Sequence, residues 1–466
     1  MTATATRKLF GTDGIRAVAG ETPLDPVTIF AVGLALGHSL KAAAAGRASA
    51  GPAVVVGRDT RESSVWIGQT LAAGLRAAGA TIESAGVVPT PAVAFLTRKH
   101  GFQAGVVISA SHNPWRDNGI KLFGSDGFKL PDAVELAMEE EILHYASLEA
   151  TRAQVLDPGN KEGLGDNAAF ADDYIQFLLA CVPDLKLNAL KIVADCANGA
   201  AAAIAPELFR RLSSSDGSVT LLHTSPDGRN INDGCGALHP AHVADEVQAR
   251  QADVGLSFDG DADRCMMAGS HGNVLNGDAI LLAAARDLKS RGLLTGDLVV
   301  ATTMSNMGLE AALKRSGIRM LRASVGDRYV LEQMQKHNAA LGGEQSGHIL
   351  FPHLATTGDG LLTALVVLDL IARTGRSIDA LTADLKVFPQ VIVNVKVREK
   401  RSLESIPAVA ASIRAAEQEL EDTGRVVIRY SGTEALARVM IEAESEEAMR
   451  RHADAIAEAI RSELGV

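Results

Sequence analysis

Three aspartates alternate with small residues in Asp259-Gly260-Asp261-Ala262-Asp263, after the apolar segment Val254–Phe258 and before Arg264. That spacing lets three carboxylates converge from one loop on a hard divalent cation, which relieves their mutual repulsion. An all-oxygen donor set favours Mg2+ over Zn2+. The EF-hand pattern fails, because Arg264 stands where that loop needs glycine and Ser270 where it needs a glutamate. A solvated acidic turn is the alternative, at the cost of clustering like charges.

A second segment, Ile108-Ser109-Ala110-Ser111-His112-Asn113-Pro114, follows an apolar strand Gly105–Ile108. The chain turns at that strand's carboxyl end, where open α/β sheets place ligands. Ser111 is displayed there as a covalent phosphoryl carrier or, equally, as the capping serine of an ordinary turn. Asp117, Asn118 and Lys121 are expected to share its loop and the start of a following helix. No G-x-S-x-G elbow is present, which counts against a serine hydrolase.

Two further loops offer ligand contacts. Gly342-Gly343-Glu344-Gln345-Ser346-Gly347-His348 presents Glu344 and Ser346 to sugar hydroxyls, or else is a turn between strands. Arg429-Tyr430-Ser431-Gly432-Thr433-Glu434 joins two strands and makes a phosphate cradle, with Arg438 on the next strand adding charge; a polar hairpin loop reads the same way. Near the start, Gly11-Thr12-Asp13-Gly14-Ile15-Arg16 ends in an arginine able to meet a phosphate or a carboxylate.

Elements that position these loops follow from hydrophobic patterning. Three times an apolar β-branched run leads into a polar loop and then a helical stretch: Ala53–Gly57 with Val65–Ala78, Lys191–Ala194 with the segment from Ala200, and Leu298–Thr302 with Leu309–Ser316. Short apolar strands alternating with helices predict α/β domains whose sheets are covered on both faces. From Val387 the order becomes β-α-β-β-α, a smaller α+β domain. With 466 residues to divide, boundaries are expected near 160, 258 and 385: domain I with the serine loop, domain II ending at the metal loop, domain III with the sugar loop, domain IV with the phosphate loop. The segment 42–51 reads as a surface loop.

Composition narrows the partners. A formal net charge of −11 and 4% aromatic residues disfavour nucleic acid and anionic membranes, so any phosphate site must gather its cations locally. Arg16, Lys121, Arg264, Arg429 and Arg438 all fall in glycine-rich or acidic segments, as such a site requires. The four cysteines, Cys181, Cys196, Cys235 and Cys265, fit no metal or disulfide spacing and suggest a reducing compartment. With no apolar leader and no run of 18 apolar residues, a soluble cytoplasmic protein is expected.

Taken together and in this order, SASHNP, DGDADR, GEQSGH and RYSGTE, with GTDGIR before them, resemble the α-D-phosphohexomutase family over residues 10 to 438. The resemblance implies four domains around a central cleft, the first three alike. It implies a phosphoserine at Ser111 and one Mg2+ held by Ser111, Asp259, Asp261 and Asp263. Arg16 and Arg264 would line the active site, and Lys121 would assist proton transfer. Glu344, Ser346, Asp327 and Arg328 would bind the sugar, and Arg429, Ser431, Gly432, Thr433 and Arg438 its phosphate. KLFGTDGIR, DCANGA, Asn230–Gly236, VGDRY and GGEQSGH match the branch that interconverts glucosamine 6- and 1-phosphate through a 1,6-bisphosphate, which also serves as activator; that product feeds UDP-N-acetylglucosamine and cell-wall synthesis. Glucose and mannose phosphates mark the neighbouring branch, and a non-catalytic phosphosugar-binding protein or a phosphatase are rivals from other classes. A monomer or homodimer is expected. Two residues depart from the pattern: Ala17 where glycine commonly follows GIR, and Ala435 where proline commonly follows SGTE, the latter loosening the phosphate loop.

Overall fold

The computed structural model describes residues 8–11, 13–43, 51–156, 163–213, 218–431 and 435–466. Four sheets follow one another along the chain. In the first, Ala53–Arg58 lies parallel between Thr81–Val87 and Ala104–Ile108, and Asp117–Gly124 then returns antiparallel and pairs with Gly14–Val18. In the second, Ile192–Asp195 lies parallel between Val219–Leu222 and Val254–Phe258, and Cys265–Gly269 returns antiparallel. The third repeats the plan, with Leu298–Thr302 between Arg319–Ala323 and Leu341–Gly343 and the antiparallel Ile349–Leu350 beyond. Parallel strands joined through helices followed by one antiparallel return make these sheets mixed. The last sheet, Gln390–Lys396, Leu436–Ala443 and Gly424–Tyr430, is wholly antiparallel.

The apolar runs become central strands because their side chains are buried on both faces: Ala104–Ile108, Val254–Phe258 and Leu298–Thr302 are buried throughout. Helix Pro26–Ala43 has the length and hydropathy of a membrane span, yet much of it is buried in the first domain. It crosses helix Glu62–Ala77 at bare backbone. A Cβ on Gly33 would stand 2.3 Å from the Leu71 carbonyl oxygen, and one on Gly74 would stand 2.2 Å from that of Phe30. Its apolarity therefore serves core packing.

Two expectations change. Asp117–Gly124 is a strand, not a loop leading to a helix: the run Ile120, Leu122, Phe123 fills both faces of the sheet beside Ala104–Ile108. The break placed near 258 falls inside the second sheet, since Asp259–Arg264 is the connection between its paired strands Val254–Phe258 and Cys265–Gly269. The break near 160 and most of the segment 42–51 lie outside the described residues.

Candidate active site

Both chemistry-bearing loops leave the carboxyl ends of central strands and meet face to face. Ser111 sits in left-handed backbone at φ 52°, buried. Its N–H donates to Ser109 Oγ at 2.9 Å, and its Oγ donates to Asp259 Oδ2 at 2.5 Å. The turn is propped from behind. Arg61, paired with Asp59 and buried with it, donates to the carbonyl oxygens of Ser111 (3.1 Å) and Asn113 (2.6 Å). Asn232 Nδ2 donates to the same two carbonyls at 3.0 and 3.2 Å.

The aspartate loop has no room for larger residues. A Cβ on Gly260 would lie 2.5 Å from the Ser111 carbonyl oxygen. Ala262 takes φ 53°, which lets the loop turn so that Asp259, Asp261 and Asp263 offer carboxylate oxygens all within 4.8 Å of one another. At an effective dielectric of about 20, each ionised pair at that separation repels by roughly 3 kcal/mol or more. Burial and the charges of Asp263 and Asp261 push Asp259 up to about 8. Asp261 Oδ1 and Asp263 Oδ1 are buried without a hydrogen-bond partner. Buried oxygens left unpaired in an all-carboxylate set fit a hard divalent cation, and these three residues could hold Mg2+.

Cations ring the triad. Lys121 Nζ stands 2.8 Å from Asp261, 3.0 Å from Asp13 and 3.5 Å from Asp263. Burial alone would lower its pKa, but Asp13, Asp261 and Asp263 outweigh it and hold the ammonium above the ordinary lysine value. That makes Lys121 a fixed positive charge. Arg264 lies beside Asp263, Arg16 pairs with Asp13, and Lys129 bridges Asp13 and Asp327 at 2.5 and 2.6 Å.

Of these groups Asp13, Arg16, Lys129, Asp263, Arg264 and Asp327 line a cavity of about 450 Å3, with His112, Glu344 and His348 among its other walls. Glu344, in the cavity wall, accepts from the Gly326 N–H at 3.0 Å and from Ser346 Oγ at 3.3 Å, which fixes the orientation of its carboxylate. Arg328 is turned to Asp132, Glu135 and the Leu130 carbonyl, in the neighbouring cavity. Arg429 and Arg438 face each other on adjacent strands of the last sheet, and Lys400 Nζ donates to the Ser431 carbonyl at 2.6 Å. No described residue of that sheet lines the cavity, and Gly432 and Thr433 lie outside the described residues.

Sequence reasoning did not single out His348, His112, Arg61, Asn232, Asp13 or Lys129. His348 Nδ1 is 3.6 Å from Asp263 and Nε2 is 3.5 Å from Asp327. Burial opposes its charge, but those carboxylates raise its pKa to about 9. His112 goes the other way, as burial, Arg264 and Arg16 push it down to about 4. Its Nδ1 is 3.3 Å from Ser111 Oγ. The polar loop after Ala53–Arg58, at a strand's carboxyl end, was the available signal for Arg61.

Family models for the phosphoglucomutase/phosphomannomutase domains match in series: alpha/beta/alpha domain I over residues 7–149, domain II over 172–272, domain III over 276–388 and the C-terminal domain over 392–459. The phosphoglucosamine mutase of Koribacter versatilis (strain Ellin345) is 56% identical over 99% of this chain and 98% of its own. The chain belongs to the phosphoglucosamine mutase family. That of Solibacter usitatus (strain Ellin6076) is 48% identical over 98% of this chain and 99% of its own. Among solved structures, a phosphoglucomutase/phosphomannomutase family protein of Burkholderia thailandensis superposes with TM-score 0.72 at 26% identity, covering 98% and 99% of the two chains. The N-acetylphosphoglucosamine mutase of Aspergillus fumigatus, solved with GlcNAc-6P and magnesium, shares the fold at TM-score 0.60 and 20% identity, covering 98% of this chain and 96% of that one. In this phosphoglucosamine mutase family member the four expected domains and the acidic triad are all present.

Proposed function

We propose that the protein interconverts glucosamine 6-phosphate and glucosamine 1-phosphate, with Ser111 carrying the phosphoryl group and a 1,6-bisphosphate as intermediate and activator. The observation that carries this reading is the Ser111 hydroxyl 2.5 Å from Asp259, at a carboxylate triad beside a cation-lined cavity. Mg2+ held by Asp259, Asp261, Asp263 and a phosphoserine oxygen would offset the charge of the group in transfer.

In the first half-reaction a bond forms between the phosphorus on Ser111 and sugar O1, while the bond to Ser111 Oγ breaks. The proton given up by O1 is matched by one taken up at Ser111 Oγ, so the phosphoryl group passes one way and a proton the other, and the serine ends as a hydroxyl. Lys121, Arg264 and Arg16 counter the anionic charge of the group in transfer at the serine. Glu344 and Ser346 grip sugar hydroxyls, and Asp327 holds Lys129 in place. The bisphosphate then turns over and returns its 6-phosphate to Ser111.

The phosphate of the non-reacting end falls to Arg429, Ser431, Gly432, Thr433 and Arg438 once the last domain closes. Its sheet is tied to the third domain at one end, where Glu442 accepts from the Met307 N–H at 2.7 Å and pairs with Arg425 at 2.6 Å. The phosphate loop leaves the opposite end, beyond Tyr430. A seven-residue strand spans about 20 Å, so a small rotation at the tied end carries that loop furthest.

The test is kcat/KM with Mg2+ and a trace of bisphosphate on glucosamine 6-phosphate against glucose and mannose phosphates. Preference for the amino sugar supports the assignment. Preference for a neutral hexose moves the protein to the neighbouring branch, and release of free phosphate makes it a phosphatase.

A further inference from the structure

A second ligand set stands in the second domain, behind the metal loop. Asp195 ends strand Ile192–Asp195 and His223 follows the parallel strand Val219–Leu222, so both occupy carboxyl ends of neighbouring strands. His242 comes from helix Pro240–Arg250. One donor atom from each of the three lies within 4.8 Å of the others.

The carboxylate is fixed before any ligand arrives. Asp195 is wholly buried, with Oδ1 accepting from the Ala197 N–H at 2.8 Å and Oδ2 from the Gly236 N–H at 2.9 Å. Each oxygen keeps a further lone pair. His223 takes φ 50°, left-handed backbone that holds its ring over Asp195. Its Nδ1 is 2.9 Å from Asp195 Oδ1 yet makes no hydrogen bond there, as expected of two donors facing a common point rather than each other. The His223 and His242 ring centroids are 5.1 Å apart.

We propose that Asp195, His223 and His242 form a binding site for a divalent transition-metal ion of the zinc class, separate from the Mg2+ site. Two imidazoles and one carboxylate suit Zn2+, Co2+ or Ni2+ and not Mg2+, with a fourth position left to water. The site abuts the catalytic machinery through the turn it anchors: the Ala200 N–H donates to the Gly260 carbonyl at 2.8 Å.

The test counts Zn2+ retained by the purified protein under excess Mg2+, for wild type and for a double His223→Gln, His242→Gln variant. One equivalent more in wild type than in the variant, with Mg2+-dependent turnover of the variant preserved, is the expected result. Equal counts overturn the proposal. Should the variant fail to fold, Co2+ added to wild type under excess Mg2+ decides. A saturable one-equivalent visible band of nitrogen-ligated cobalt supports the site, and its absence refutes it.

Discussion

Gly260→Ala is the sharpest probe of how the two loops meet. A Cβ there would stand 2.5 Å from the Ser111 carbonyl oxygen, 2.8 Å from Asn232 Nδ2 and 2.9 Å from Ile231 Cδ1. Ordinary contact begins at 3.4 Å, so the serine turn and the aspartate loop must separate by about 0.9 Å. Arg61 and Asn232 both donate to that carbonyl, so the turn cannot yield without straining their hydrogen bonds. Overpacking of this kind costs about 1–3 kcal/mol in stability. A misplacement near 1 Å in a phosphoryl-transfer site costs on the order of 100-fold in rate. The expected outcome is kcat on glucosamine 6-phosphate reduced about 100-fold, in a protein that still unfolds cooperatively a few degrees lower. Gly165→Ala, where an added Cβ meets nothing within 4 Å, is the matched control and should change neither quantity. Activity of Gly260→Ala within twofold of wild type would refute the apposition of the two loops.

Other outcomes follow from the same geometry. Lys121→Met leaves Asp13, Asp261 and Asp263 without their shared buried cation; we expect about 3–5 kcal/mol of lost stability, read by denaturant unfolding, and turnover lowered even where the variant is folded. Mg2+ should stabilise wild type by about 2.7 kcal/mol at 100 times its dissociation constant, read as a rise in unfolding temperature, and this response should shrink in Asp261→Asn. Asp359, buried and bonded to Tyr174 Oη, is pushed up to about 6 by that burial. A carboxyl with a raised native pKa binds its proton more tightly folded than unfolded, so its stabilising share is full below about pH 4 and is lost as pH rises through about 6. Asp359→Asn keeps the cap on helix Gly360–Thr374 and should gain up to about 3 kcal/mol at pH 7.5 relative to wild type, with little gain at pH 4. No difference between the two pH values would contradict it.

Much of this site was legible because its groups sit in short segments whose spacing limits their chemistry. The triad, the serine turn and the Glu344 loop each lie on consecutive residues at strand ends, where fully apolar runs give way to small and polar ones. What escaped notice depends on contacts between distant segments. Closeness to the Ser111 turn puts Asp117, Asn118 and Lys121 in its loop and a helix start, yet the strand they open is fixed by pairing with Gly14–Val18 and Ala104–Ile108. Arg61 and Asn232 reach the Ser111 carbonyl across 50 and 121 residues. The resemblance puts Arg328 at the sugar with Asp327, but its partners Asp132 and Glu135, distant in sequence, turn it toward the neighbouring cavity. The pKa of His348, about 9, is set by Asp263 and Asp327, which no local pattern brings together.

The claim that Ser111 carries the phosphoryl group is tested most directly by charging the protein with labelled sugar 1,6-bisphosphate, mapping the label, and chasing with unlabelled glucosamine 6-phosphate. We predict label on the peptide bearing Ser111, none in Ser111→Ala, and complete passage of the label into sugar phosphates during the chase. Label on another residue, or turnover by Ser111→Ala at the wild-type rate, would contradict the account.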